Sequence, residues 1–392
     1  MKIDINSIPV VILKSHFGSL GIARSLGRLG VPVYAVHSDA NDPTLASKYY
    51  RKAMIWDIDK QPVAESLKLL DDLGCQLDRS AILISTSDAT TAFVSYNAEK
   101  LKKHYMFPSQ PPELVTSLID KKKMCSLAKE HNIPIPLTMF PQSKDELMDN
   151  LKEFQFPLLF KCINGTRLTA NKEPKMIKVN NETELIEAHD QWEVSDKPNF
   201  MLQEYIPGGE DSSWIFNGFF DGNSHCVIGF TGKKIRQHPA YMGAASLGVC
   251  LQNDELNHIT CRFMKAIGYQ GVLDIDYCYD YRDGKYKVLD VNPRIGSSFR
   301  LFVDRNGMDV ARALYLSLTN QPVLPLTIHE GRKWVVENQD ISSCLVYRKD
   351  GNLTLKEFLA SFKGLKETAW IASDDMQPFL KLCKSYFKKL FV

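Results

Sequence analysis

The sequence predicts an α/β domain followed by a mixed α+β domain and a short C-terminal extension. Three observations carry this. Strand and helix periods alternate over residues 1–115, strands of antiparallel type dominate about 116–328, and the proline-rich segment Pro108–Leu114 separates the two patterns. At 392 residues the chain exceeds one ordinary hydrophobic core, so two or three packed units are expected.

Composition narrows the function classes. The chain is 44% hydrophobic and 24% charged with a net charge of only +2, a balance that gives no footprint for a general nucleic-acid binder. No stretch reaches the roughly 18 apolar residues of a membrane span. The start, "MKIDINSIPVVILKSHFG", lacks the pattern of a signal peptide, so the cytoplasm is the expected location. The nine cysteines are scattered with no C-x-x-C pair. They are expected as reduced core thiols rather than as a zinc site or a disulfide frame.

The first domain opens with the apolar, β-branched "PVVIL", then a polar turn "KSHFGSLG", a helix "IARSLGRLG" ending at Gly30, and a second strand "VPVYAV". The Gly18-x-x-Gly21 segment reads either as an anion-receiving turn at a helix N-terminus or as a tight turn without a ligand. A second strand–loop–helix unit follows at "AILISTSDATTAFVSYNAEKLKKH". Beyond the prolines come a helix "DKKKMCSLAKEHN", strands at "PLLFKCI" and "KMIKV", a helix at 182–192, and a strand entering "FMLQEYIPGGE". Strands dominate 212–250, and "DELNHITCRFMKAIGY" is a helix. There is no internal repeat.

The chemistry concentrates in "GVLDIDYCYDYRDGKYKVLDVNPRIGSSFR" (Gly271–Arg300). Its period of two predicts a hairpin with a three-residue loop and Gly284 in the left-handed position, placing Tyr281 opposite Lys285. In that register Asp276 faces Asp290 and Asp274 faces Asn292, with Ile275, Tyr277, Leu289 and Val291 on the apolar side. Opposed carboxylates repel unless a cation sits between them. Oxygen donors from Asp276, Asp290 and Asn292 suit a hard cation such as Mg²⁺ accompanied by phosphate oxygens. Arg294 joins the same face if the extended backbone persists past Pro293, and is then placed to contact a phosphate. The alternative is an acidic solvent-facing hairpin edge.

With these residues the chain resembles the ATP-grasp superfamily, whose metals hang from an acidic residue and an (E/D)-x-N-P-R strand. Here the motif is Asp276 with Asp290-Val291-Asn292-Pro293-Arg294, and Asp replaces the usual Glu. The resemblance covers about residues 10–325. It implies an N-terminal pre-ATP-grasp α/β domain over 1–115 and a two-subdomain ATP-grasp fold over 116–328, with a lid at about 116–200 and a central part at about 201–328. A C-terminal extension, 329–392, follows. It also implies that Lys121, in "DK" ahead of "NIPIP", and Lys161, ending "FPLLFK", hold phosphates. "LQEYIPGGE" resembles the hinge, so Gln203, Glu204, Tyr205 and Ile206 would flank adenine and Glu210 would take the ribose hydroxyls. The loop "CINGTRLTANKE" departs from the family by lacking its glycine run.

"TGKKIRQHPAYMGAAS" together with "GIARSLGRLGVPVYAV" is similar to carboxylate–amine ligase members with a carbamoyl-phosphate-synthase-like layout. The implied chemistry is ATP- and Mg²⁺-dependent ligation, with Mn²⁺ as a substitute. A small-molecule carboxylate becomes an acyl phosphate, with Arg294 and Lys161 as catalytic groups, and an amine then attacks it. Alternatives are a kinase of a carboxylate or hydroxyl, and a nucleotide-binding regulatory protein with little turnover. Arg236 and His238 read either as facing an acidic substrate or as a basic surface loop. In the extension, "PFLKLCKSYFKKLFV" is an amphipathic helix with Lys381, Lys384, Lys388 and Lys389 opposite an apolar stripe. Packing on the chain's own surface or on a partner subunit is the greater expectation for it, and a peripheral membrane contact the lesser. A homodimer is implied by the resemblance alone.

Overall fold

The computed structural model describes residues 8–14, 16–77, 79–163, 175–193 and 197–390. The chain divides into two compact units. The first comprises Met1–Val115, Ile215–Ile275 and Asn292–Val392, and the second Thr116–Trp214 and Asp276–Val291.

In the first unit, strands β1 (Val10–Leu13), β2 (Val33–His37), β3 (Tyr50–Ile55), β4 (Ala81–Ser85) and β5 (Tyr105–Met106) form a five-stranded sheet in the order β3-β2-β1-β4-β5. All its pairings are parallel. Helices α1 (Phe17–Gly27), α2 (Val63–Gln76), α3 (Asp88–Tyr96) and α4 (Ala98–Leu101) make the connections. Parallel strands need such crossovers, and with both faces covered β1 reads as the unbroken run VVIL, buried throughout. The strand order reverses between β1 and β4, the switch point where open α/β sheets place ligands.

Gly18 and Gly21 are not a turn, as both sequence readings had them. Both lie inside α1, whose cap is His16, its Nδ1 accepting from the Gly18 amide at 2.9 Å. A Cβ on Gly18 would lie 2.9 Å from the Ser297 backbone, and one on Gly21 would lie 2.9 Å from Arg300. The glycines therefore serve close packing.

Helix α5 (Pro112–Ile119) crosses the boundary between units. The second unit then holds α6 (Lys121–Glu130), capped by Asp120, with α7 (Lys144–Asn150) and α8 (Glu182–Trp192). Its strands β6 (Thr138–Met139), β7 (Leu158–Cys162), β8 (Met176–Val179) and β9 (Phe200–Glu204) form an antiparallel sheet in the order β6-β9-β7-β8. Leu158, Phe160, Leu185 and Leu202 are fully buried in its core.

A seven-stranded sheet completes the fold. Its strands are β10 (Ser213–Phe220), β11 (Cys226–His238), β12 (Ala244–Cys250), β13 (Gly271–Asp280), β14 (Lys285–Asn292), β15 (Lys333–Val335) and β16 (Leu365–Thr368), in the order β14-β13-β10-β11-β12-β15-β16. Strands β10, β13 and β14 run on into the second unit. Helices α9 (Asp254–Ala266), α10 (Val310–Leu318), α11 (Glu337–Lys349), α12 (Leu355–Ser361) and α13 (Gln377–Leu390) accompany this sheet.

Three sequence expectations change here. The hairpin loop has four residues, not three, because β13 ends at Asp280, β14 starts at Lys285, and the Gly284 amide donates to the Asp280 carbonyl at 2.8 Å. Asp280 enforces it: its buried carboxylate accepts from the Arg282 amide at 3.0 Å and from Lys287 Nζ at 2.6 Å. Gly284 keeps the left-handed conformation, with φ +69°. Helix α11, in the extension, was unread in the sequence. Arg236 is neither substrate-facing nor a surface group. It is 3% exposed, bonds Asp340 in bidentate fashion at 2.9 and 2.7 Å, and lies over both the Phe358 and Phe362 rings, 5.2 and 5.5 Å from their centres. The amphipathic α13 packs Phe379 and Leu382 against the first unit's core, and Lys381 Nζ donates to the Asp42 carbonyl at 3.2 Å. No described helix is long and apolar enough to cross a membrane.

Candidate active site

Within the second unit, the ends of β7, α6 and the β13–β14 hairpin bring four predicted residues together. Lys161 is the fourth residue of β7, partly buried, and its Nζ donates to Gln203 Oε1 on the neighbouring β9 at 3.1 Å. Gln203 is 2% exposed, and its Nε2 donates to Thr138 Oγ1 at 3.0 Å, which fixes the amide and so the lysine. Lys121 opens α6, and its Nζ lies 3.9 Å from Asp290 Oδ1. Burial lowers the Lys161 pKa to about 8, while the fields of Asp290 and Asp276 push it back up and that of Lys121 adds to the fall. Asp290 thus lies beside Lys121, and the fields of both carboxylates and of Lys121 reach Lys161.

Asn292 and Arg294 stand beyond the unit boundary on the same chain. The condition set for Arg294 fails: β14 stops at Asn292, and the Arg294 amide donates to the Asn292 carbonyl at 2.8 Å, a γ-turn about Pro293. That turn folds the guanidinium back, so that Nη2 bonds Asn292 Oδ1 at 2.8 Å and Nε bonds Asp88 Oδ1 at 2.6 Å. Asp88 is the first residue of α3, just past β4 at the switch point. His16, at the end of the β1 loop, faces the same place; its Nε2 is 3.3 Å from the Thr86 carbonyl. Burial lowers its pKa to about 4, and the Arg294 charge adds to that, so this imidazole is neutral. Sequence reasoning missed Asp88 and His16, whose only signal was their place after the two central strands.

The hinge segment is also more constrained than its motif suggests. The Glu204 carboxylate accepts from the Leu137 amide at 2.9 Å, Lys287 at 3.0 Å and Arg282 at 2.6 Å. Its side chain is therefore a fastening between β9 and the hairpin loop, and the Glu204 amide donates to the Leu137 carbonyl at 2.9 Å. Lys178 Nζ sits 4.3 Å from the centre of the half-buried Tyr205 ring. Glu210 falls in the turn Gly209–Ser212, and its side chain lies outside the described atoms. The loop after Lys161 that departs from the family pattern lies mostly in 164–174, outside the described residues.

A hard divalent cation fits this donor set. Asp276 and Asp290 supply hard carboxylate oxygens, which favour Mg²⁺ over zinc. Asn292 is 8% exposed with its oxygen already engaged by Arg294, so it offers one remaining lone pair.

The parallel sheet, the antiparallel lysine-bearing sheet and the acidic hairpin define an ATP-grasp fold. Comparison with known proteins agrees. Over 315 residues the chain is 25% identical to D-aspartate ligase of Enterococcus faecium, covering 77% of this chain and 74% of that one. It is 23% identical over 209 residues to the carbamoyl phosphate synthase large chain of Methanobrevibacter smithii, covering 51% of this chain and 18% of that one. Among solved structures, the ADP complex of N5-carboxyaminoimidazole ribonucleotide synthetase superposes with a TM-score of 0.65 at 12% identity, over 85% of this chain and 82% of that chain. No protein-family model matches the chain. The chain has the ATP-grasp fold and is similar to carboxylate–amine ligases.

Proposed function

We propose that this protein is an ATP- and Mg²⁺-dependent ligase that activates a small-molecule carboxylate as an acyl phosphate and joins it to an amine. The observation that carries the reading is the second unit's cluster of Lys121, Lys161, Asp276 and Asp290, with Gln203 fixing Lys161. Two ammonium groups beside two carboxylates form a receptor for a triphosphate and its metal. Asp276 and Asp290, with Asn292, would hold the Mg²⁺, which when bound neutralises triphosphate charge.

Lys121 and Lys161 hold the phosphates, and the hinge backbone at Glu204–Ile206 takes adenine, with Glu210 on the ribose. A substrate carboxylate oxygen attacks the γ-phosphorus and ADP departs. The amine nitrogen then attacks the acyl carbon, phosphate leaves, and the amine gives up a proton. Arg294, oriented by Asn292 and Asp88, supplies fixed positive charge to an anionic oxygen. The name of the relative makes D-aspartate the first acid to test. A homodimer working in the cytoplasm completes this reading.

The test is calorimetric MgATP binding to the wild type and to a double change of Asp290 and Asn292 to alanine, followed by ADP release over a panel of acids and amines. Mg²⁺-dependent binding lost in the variant, with an amide product identified by mass, is expected. A folded wild type that binds no nucleotide refutes the proposal.

A further inference from the structure

In the first unit a second group of ligating side chains gathers: Asp71, Cys75 and His104, whose donor atoms all lie within 4.8 Å of one another. We infer that these three residues form a zinc-type metal site, independent of the nucleotide chemistry. It revises the expectation that every cysteine is a plain core thiol, since Cys75 is exposed.

The helix supplies two ligands by its period. Asp71 and Cys75 are four residues apart on α2 and so share one face. His104 arrives from the segment just before β5. Its position is anchored by the next residue, Tyr105, which pairs with Ala81 and whose hydroxyl donates to the Leu70 carbonyl at 2.7 Å. Gly74 makes the approach feasible: a Cβ there would lie 2.5 Å from His104 Cβ and Cγ. Any larger residue at position 74 would push the imidazole off the helix.

The two edges that meet at His104 match a tetrahedron. His104 Nε2 lies 3.1 Å from Asp71 Oδ1 and 3.7 Å from Cys75 Sγ. A tetrahedral zinc ion with bonds of about 2.3 Å to sulfur and about 2.0–2.1 Å to nitrogen and oxygen has edges of roughly 3.3 Å (N–O) and 3.6 Å (N–S). One nitrogen faces both partners. A nucleophile relay would instead set the acid on one imidazole nitrogen and the thiol on the other, so this is not a Cys-His-Asp catalytic arrangement. The mixed sulfur, nitrogen and oxygen set suits Zn²⁺, unlike the oxygen donors of the nucleotide site.

Lys103 Nζ, 3.0 Å from Asp71 Oδ1, is the positive charge at the site. Its side chain is 62% exposed, so the lysine is free to swing into solvent when a metal takes its place. Asp71 is 47% exposed, which leaves the fourth coordination position to water. Binding displaces the thiol proton. The metal would tie α2 to the edge strand β5.

The experiment titrates Co²⁺ into the metal-free full-length protein and follows its absorption. A thiolate-to-metal band with the intense visible bands of tetrahedral cobalt, saturating at one equivalent and displaced by Zn²⁺, is expected. The Cys75→Ser variant loses the band, and Asp71→Asn and His104→Ala weaken binding by about tenfold or more. Cys75 is exposed and Asp71 47% exposed, whereas His104 is only 20% exposed, so circular dichroism and a melting temperature matching the wild type are required of each variant, His104→Ala above all. In parallel, one equivalent of Zn²⁺ slows maleimide labelling of Cys75 about tenfold, and a chelator restores it. Absence of the band, its persistence in Cys75→Ser, or labelling of Cys75 unaffected by zinc overturns the inference.

Discussion

Replacing Asp340 by alanine tests whether Arg236 belongs to the fold or to a substrate. Asp340 is 1% exposed and Arg236 3%, and the two share hydrogen bonds of 2.9 and 2.7 Å. Ser246 also donates to Asp340 at 3.0 Å, and Arg236 Nη1 donates to Ser361 at 2.8 Å. Removing the carboxylate strands a guanidinium against two phenylalanine rings with a serine hydroxyl that has lost its acceptor. Breaking a buried pair from one side costs about 3–5 kcal/mol, far more than a surface pair. For domains of roughly 150–250 residues each kcal/mol lowers the melting temperature by about 2–4 °C, so a fall of about 6–20 °C is expected. Differential scanning calorimetry reads it, with nucleotide binding measured below the transition. Changing both partners, Arg236→Met with Asp340→Leu, recovers most of the loss because no charge is then left buried. A melting temperature unchanged within about 1 °C, with a raised KM for the acid substrate, would refute the argument and return Arg236 to the substrate.

Three further outcomes follow from the geometry. Competitive labelling of the Lys161 amine in metal-free protein should show a midpoint near pH 8, because burial disfavours the ammonium, and Asp290→Asn should lower the midpoint by removing a favourable field. The unfolded chain keeps that proton to about 10.5, so this group adds stability as pH rises from about 8 to 10.5; a midpoint above 10 contradicts the burial of Lys161. Gln203→Leu removes the acceptor that fixes Lys161 and should weaken nucleotide affinity several-fold by calorimetry, with the melting temperature as the control for packing. Gly18→Ala forces a Cβ toward the Ser297 backbone and the capping His16 ring, and should cost about 1–3 kcal/mol in chemical denaturation; a neutral result would mean that α1 is not packed against that segment.

Much of the candidate site was legible because it is written in short-range patterns. Period two in β13 and β14 predicts Asp276 and Asp290 on one side; the four-residue loop sets aside the register from which that was argued, while both carboxylates do act on Lys161. Helix α6 begins beside its Asp120 cap, where the "DK" signal stood, and α8 spans the residues read as helix. The hairpin loop was misjudged because its length is set by a buried Asp280 salt bridge with Lys287, a contact whose energy is invisible in turn propensities. Arg294 met Asn292 by a route the strand pattern excludes, a γ-turn at proline.

The sequence by itself determined the periodicities, the caps, the order of the lysines and carboxylates, and so the fold class. These depend on neighbours three or four residues away, whose spacing is fixed by backbone geometry. Only the tertiary structure decided the rest. It buried Arg236 against Asp340, 104 residues on, joined Arg294 to Asp88 across 206 residues, and set His104 beside Asp71 and Cys75. Such partners are chosen by packing and by the need to satisfy buried charge, and no local pattern encodes which distant residue will supply the answer.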